Sequence, residues 1–324
     1  MKANILNSVL LIFCLCLPTM AGDKPPADAQ VLFQRALDAT DIWSQGPFHL
    51  QASLNIKSHS KSIPAEYHLY WVDKNKWRDE IKIGVAQSVR VGGDHQIWNT
   101  PLSGPVVKVI LDVQKLIDLQ EYRLPPSRYT VLKQTSSKLN GTAALCLKLK
   151  GSPGKPESRV CFDAGSGLPL GGDELRYDHF ESLGAKQFPR SMRYSEKLDD
   201  WTIEGTIEKL ESTSPPDPAF FAPPDSVHSR SGCFHVLPAT TLTRVTPHYP
   251  DDAKVVRATG TVWVLSRIDP QGKPQDVEVV NSPNPSLGQA SLASIKQWTF
   301  EAASCEGQPV ETQMVIEMHF NLGP

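Results

Sequence analysis

The sequence has no excess of charge of either sign. Its 33 Lys and Arg stand against 35 Asp and Glu, a formal net charge of -2. Nothing global therefore draws the chain to nucleic acid or to anionic lipid. Long apolar runs are scarce as well. The one at residues 9–17 (VLLIFCLCL) falls short of the roughly 20 residues of a spanning helix. No Walker loop, HExxH helix, EF-hand loop or nucleophile elbow occurs. Gly165-Ser166-Gly167 follows a strand pattern but leads into Leu168-Pro169, so it reads as a turn. Ser58-His59-Ser60-Lys61 has SxxK spacing, and in a polar turn between strands chance is the better account. Neither the histidines nor the cysteines show metal-ligand spacing. We expect no enzymatic activity, no cofactor and no metal.

What is present begins with an export signal over residues 1–21. Lys2 supplies the positive start, the apolar run follows, and Pro18-Thr19-Met20-Ala21 precedes Gly22 as a small-residue cleavage site. Cys14 and Cys16 lack the small residues that precede a lipoprotein cysteine. The expected location is the periplasm or cell envelope of a Gram-negative-type bacterium, with inner-membrane anchoring if the signal stays uncleaved. Four cysteines follow residue 21: Cys146, Cys161, Cys233 and Cys305. In an exported chain such an even count suggests disulfides. The strands around Cys146 and Cys161 flank a Gly/Pro-rich turn, and pairing Lys150 with Glu157 sets the two cysteines opposite each other on the polar side. A bridge there would stabilise by roughly 3 kcal/mol on the chain-entropy estimate. The alternative is two free thiols. Cys233 with Cys305 then follows by elimination.

Residues 22–211 read as a curved antiparallel sheet with one or two helices against one face. Residues 27–44 are helical, with Val31, Leu32, Arg35 (by its stem), Leu37 and Ile42 near one face. Residues 48–56 alternate apolar and polar, and similar strands recur to residue 208. Residues 105–121 form a second helix. Residues 212–239 are a Pro-rich linker whose composition argues against packed structure, although Phe220-Phe221 can dock back. In residues 240–324 a strand over 260–268 turns at Asp269-Pro270-Gln271-Gly272 into a second strand. Asn284-Pro285 starts a helix with Leu287, Ala290, Ser294 and Trp298 on one face. Met314, Ile316, Met318, Phe320 and Leu322 alternate along a last strand. The expected fold class is α+β: a curved β half-barrel with helices, plus a small C-terminal ββαβ unit.

Two resemblances rest on these residues. The element order of residues 22–211, with CLKLKG…RVCFDAGSGLPL and QFPRSMRY, resembles the LolA/LolB-like lipoprotein-carrier family. That resemblance implies acyl chains sheltered in the half-barrel; the alternative is that Trp71, Trp77 and Trp98 fill a core. In residues 240–322, Tyr249-Pro250, Gly260-Thr261-Val262, Asp269 to Lys273, Ile295-Lys296-Gln297-Trp298-Thr299-Phe300 and Gly307-Gln308-Pro309-Val310 occur in order. Together they resemble the TonB C-terminal domain. This resemblance implies a periplasmic domain that adds an extended segment of an outer-membrane or envelope partner, the TonB box, to a sheet edge. The partner-binding residues it implies are His248, Tyr249 and Pro250, with Gln313, Val315, Glu317 and His319 of the last strand. His248 stands where the best-known member has Gln. Tyr249-Pro250 can instead be a rigid entry with Tyr packed on the sheet. The expected function is thus capture of a partner peptide in TonB-dependent transport, the alternatives being a lipid or lipoprotein carrier and a structural envelope module without ligand.

Overall fold

The computed structural model describes residues 27–58, 61–101, 103–151, 157–196, 201–223 and 228–322. The export signal expected over residues 1–21, His59-Ser60 and most of the loop between the first cysteine pair lie outside the described residues.

Helix α1 (Ala27–Thr40) leads into a meander of β1 (Phe48–Ser58), β2 (Lys61–Asp73), β3 (Lys76–Ile83), β4 (Ala86–Gly93) and β5 (Gln96–Asn99). Helix α2 (Val106–Ile117) and two 3-10 turns follow. Then come β6 (Thr130–Leu139), β7 (Thr142–Lys150), β8 (Ser158–Asp163), β9 (Pro169–Gly172), β10 (Leu175–Leu183), β11 (Lys186–Glu196) and β12 (Trp201–Ser212). Strand β12 returns to pair with β1, and β13 (His228–Ser231) adds to β5. The result is one antiparallel sheet of 13 strands, in the order β13-β5-β4-β3-β2-β1-β12-β11-β10-β9-β8-β7-β6. Its register comes from alternation: Phe48, Leu50, Ala52, Leu54 and Ile56 are buried, and their neighbours are not. Asn140 and Gly141 both take positive φ, as a two-residue hairpin between β6 and β7 requires.

The remainder holds β14 (Thr240–Thr243), α3 (Asp251–Val255), β15 (Gly260–Ile268), β16 (Pro274–Asn281), α4 (Pro285–Ile295), β17 (Thr299–Glu301), β18 (Ala303–Cys305), β19 (Gln308–Val310) and β20 (Thr312–Phe320). Its main sheet is β16-β15-β20, beside the pairs β14-β17 and β18-β19. The order β15-β16-α4-β20 is present, but three short strands separate α4 from β20, so a plain ββαβ unit does not describe it. The helix start matches its sequence signal, since the Asn284 side chain accepts from the amides of Ser286 and Leu287.

Three expectations are corrected. On α1 the buried residues are Ala29, Phe33, Ala36 and Thr40, while Val31 is exposed. The ring of Phe33 decides this, since it meets Tyr122, Tyr129 and Phe162 in the core. Cys146 and Cys161 do pair in register and are bonded. They are not on a polar surface, because Ala144, Leu139 and Leu170 cover them. Cys233 and Cys305 are bonded as well. The Pro-rich linker is packed rather than loose. Phe221 is buried against Val89 and Val91, β13 lengthens the large sheet, and Phe234 enters its core.

Trp77 is fully buried opposite Gly92, and a β-carbon at Gly92 would lie 2.0 Å from its ring. Gly92→Ala should cost about 2–3 kcal/mol, read from the urea midpoint; an unmoved midpoint would contradict the packing. Burial, with Glu174 and Asp173 nearby, pushes the Glu121 carboxyl from 4.5 up to about 7. The folded chain then keeps a proton that the unfolded chain releases first, so stability falls as pH rises from about 4.5 to about 7. Glu121→Gln should stabilise by on the order of 1 kcal/mol at pH 8 and change little at pH 4.

Candidate functional site

Helix α2 buries residues on two opposite faces, and of its charged side chains only Lys115 is well exposed. One face sends Ile110, Val113, Leu116 and Ile117 into the core of the large sheet. The opposite face sends Val107 and Leu111 against Trp263, Leu265, Val280 and Val315 of the β16-β15-β20 sheet. Lys108 lies between. Its ammonium is 2.9 Å from Asp112 and 2.9 Å from Glu317, and 4.7 Å from the ring centre of Trp201. Burial alone would pull this ammonium down, but Asp112 and Glu317 outweigh it and hold it above the ordinary lysine value. Burial likewise raises the Asp112 carboxyl, but Lys115 and Lys108 outweigh it and hold it below the usual carboxylate value.

Strand β20 pairs with β15 along all nine residues, from Gly260 opposite Phe320 to Ile268 opposite Thr312. Its other side has no strand partner among the described residues. Met314, Ile316, Met318 and Phe320 point into the C-terminal core. The alternate residues take three different environments. Val315 and Glu317 sit under α2. His319 is exposed, with its Nδ1 2.9 Å from the Thr261 hydroxyl. Gln313 lies opposite Arg267. A rise of about 3.3 Å per residue separates Gln313 from His319 by roughly 20 Å, so the strand presents an edge rather than one compact patch.

The Tyr-Pro segment meets the far end of that strand. The ring of Tyr249 stands edge-on to Phe320 at 5.4 Å, and its hydroxyl donates to the Ala258 carbonyl. Tyr249 is therefore a packed anchor. Further back, the Val245 carbonyl accepts from Trp298 Nε1 at 3.0 Å, which fixes the approach to α4. His248 and Pro250 line a groove of ≈ 650 Å³ between this segment and α4, together with Pro247, Ala290 and Ala293. Leu242, Val245, Val255 and Val256, four of the eight exposed large apolar side chains among the described residues, belong to the segments bordering it. Sequence reasoning missed both this groove and the second covered face of α2. Val107 and Leu111, apolar positions off the stripe of Ile110, Val113 and Ile117, were the signal for the latter.

Residues 245–322 match the family described as Gram-negative bacterial TonB protein C-terminal. No curated protein sequence matches the chain. Among solved structures it is similar to an outer membrane lipoprotein-sorting protein domain from Vibrio parahaemolyticus (11% identity, TM-score 0.39, 59% of this chain and 94% of that one). It is similar too to a LolA superfamily protein from Nitrosomonas europaea (12% identity, TM-score 0.39, 60% and 97%). A third is the Pseudomonas aeruginosa MucA/MucB complex (13% identity, TM-score 0.29, 69% of this chain and 72% of that one). No helix among the described residues is long and apolar enough to cross a membrane.

Removing Lys108 takes the shared cation from buried Asp112, which keeps Lys115, and from partly buried Glu317. Lys108→Ala should lower stability by about 3–5 kcal/mol at neutral pH. A loss under about 1 kcal/mol, typical of an exposed pair, would contradict the buried arrangement.

Proposed function

We propose that this chain works in the cell envelope by capturing an extended segment of an envelope partner, in the service of TonB-dependent transport. The segment adds as a strand to the free side of β20, and the His248–Pro250 stretch meets one end of it. The observation that carries the reading is the edge itself. A nine-residue strand with one unpaired side lies inside the region that matches the TonB C-terminal family. An extended peptide gains main-chain hydrogen bonds there, while its side chains select the register. Because α2 covers Val315 and Glu317, the partner approaches along the edge and not over the face. The carrier reading needs room for acyl chains on the concave side of the large sheet, where Phe33, Trp43, Ile110, Val113, Leu116 and Phe234 already pack.

A photo-crosslinking residue placed at His319 in cells tests this. The reading expects adducts to an extended terminal or linker segment of an envelope protein, identified by mass spectrometry. A matched probe at Val85, which is exposed on the β3–β4 turn, serves as the control. Adducts no different from those at Val85 would contradict it.

A further inference from the structure

The β5 edge of the large sheet carries a chain segment that is not part of the sheet's own meander. Residues 228–231 pair antiparallel with all of β5, Ser229 opposite Trp98 and Arg230 opposite Ile97. The Gly232 amide extends the ladder to the His95 carbonyl at 2.9 Å. A β-carbon at Gly232 would come within 2.9 Å of Ile97, so the site favours a small residue at that step. Two residues later the ring of Phe234 enters a box of tryptophans. Its centre is 4.9 Å from that of Trp77, 5.3 Å from Trp71 and 6.1 Å from Trp43, with the Arg90 guanidinium 5.8 Å away. His235 Nδ1 then bonds Asp118, and the Val236 carbonyl takes the Gln120 amide.

An extended backbone, one aromatic anchor and a polar finish are the marks of a bound peptide. The resident segment leaves part of the site's hydrogen bonding unused. Trp43 Nε1 and Arg123 Nη2, on neighbouring side chains 4.4 Å apart, are buried and have no partner among the described residues. Both are donors. The ladder on β5, the tryptophan box and these two donors are contiguous through Trp43, which touches Phe234, His235 and Arg123.

We propose that β5 and the Trp43–Trp71–Trp77 box form a peptide-binding site in their own right, occupied in this structure by residues 228–236 of the same chain. The partner it fits is an extended segment with a small residue, then an aromatic two positions on, then a hydrogen-bond acceptor facing Trp43 and Arg123. This site is separate from β20 and stands whether or not β20 captures a peptide. Arg230 nevertheless links the two, since its guanidinium donates to the Glu311 carbonyl, one residue before β20.

The probe is a fluorescent synthetic peptide covering residues 228–237, with Ser in place of Cys233. It is titrated by anisotropy, with a reductant present to open the Cys233–Cys305 bond that tethers the resident segment, into full-length wild type and into full-length Phe234→Ala and Phe234→Leu, each first shown to be folded under those conditions by its thermal transition. A folded variant with an emptied box should bind the peptide saturably. Wild type should bind at least tenfold more weakly, because its own segment competes at high effective concentration. A peptide carrying Ala at the Phe position should not bind any of them. Failure of the peptide to bind either folded variant would overturn the proposal and make Phe234 an ordinary core residue. Equal binding of the Ala-bearing peptide would also overturn it, because the box would then play no part.

Discussion

An open sheet of this size must bury its concave apolar face, and α2 is the element on which that burial turns. A single twelve-residue helix packs against the large curved sheet with one side and carries the C-terminal sheet on the other. A helix so placed has little solvated surface for its charges: Lys115 reaches solvent, but Lys108 and Asp112 do not. Lys108 and Asp112 therefore satisfy each other inside the packed layer, and Glu317 of β20 completes the set. Burying an ion pair is not by itself stabilising, since desolvation offsets most of the attraction. What the arrangement supplies is position. Glu317 meets Lys108 in this placement of the C-terminal sheet, which leaves the edge of β20 without a strand partner among the described residues while α2 covers Val315 and Glu317.

The same logic explains the course of the chain between the two sheets. A Pro-rich stretch builds no ladder of its own, yet here it leads into β13, which borrows one from β5. Phe234 then fills a space that α1 and α2 leave among three tryptophans. Cys233, one residue before that ring, is bonded to Cys305 on the C-terminal side. The seating of Phe234 and the position of the β18-β19 hairpin are thus fixed by adjacent residues.

Much of this was legible in the sequence. Alternation located β1 and β20 and named the inward Met314, Ile316, Met318 and Phe320 of β20, with Leu322 falling past its end, because a strand with one buried face shows its register directly. Asn284-Pro285 and Asp269 to Gly272 marked a helix start and a turn through local chemistry alone. The order of motifs from Tyr249 to Val310 pointed to the TonB C-terminal family. The rest was hidden because it depends on partners distant in sequence. Cys146 reads as polar-facing from its own strand and is buried because Ala144, Leu139 and Leu170 of β9 cover it. Phe234 sits in a stretch whose composition argues for a loose linker, and the tryptophans that receive it lie about 160 to 190 positions earlier. On α1 the apolar residues Val31 and Phe33 compete for the core, and only the aromatic neighbours decide for Phe33.

The central claim is that β20 offers a free edge while its face is covered. Residue-resolved amide exchange over Thr312–Phe320 in the free protein tests it most directly. The account predicts alternation: slow exchange at amides bonded to β15, and fast exchange at those on the opposite side. Uniform protection along the strand would show that the edge is already paired, and strand addition there would be contradicted.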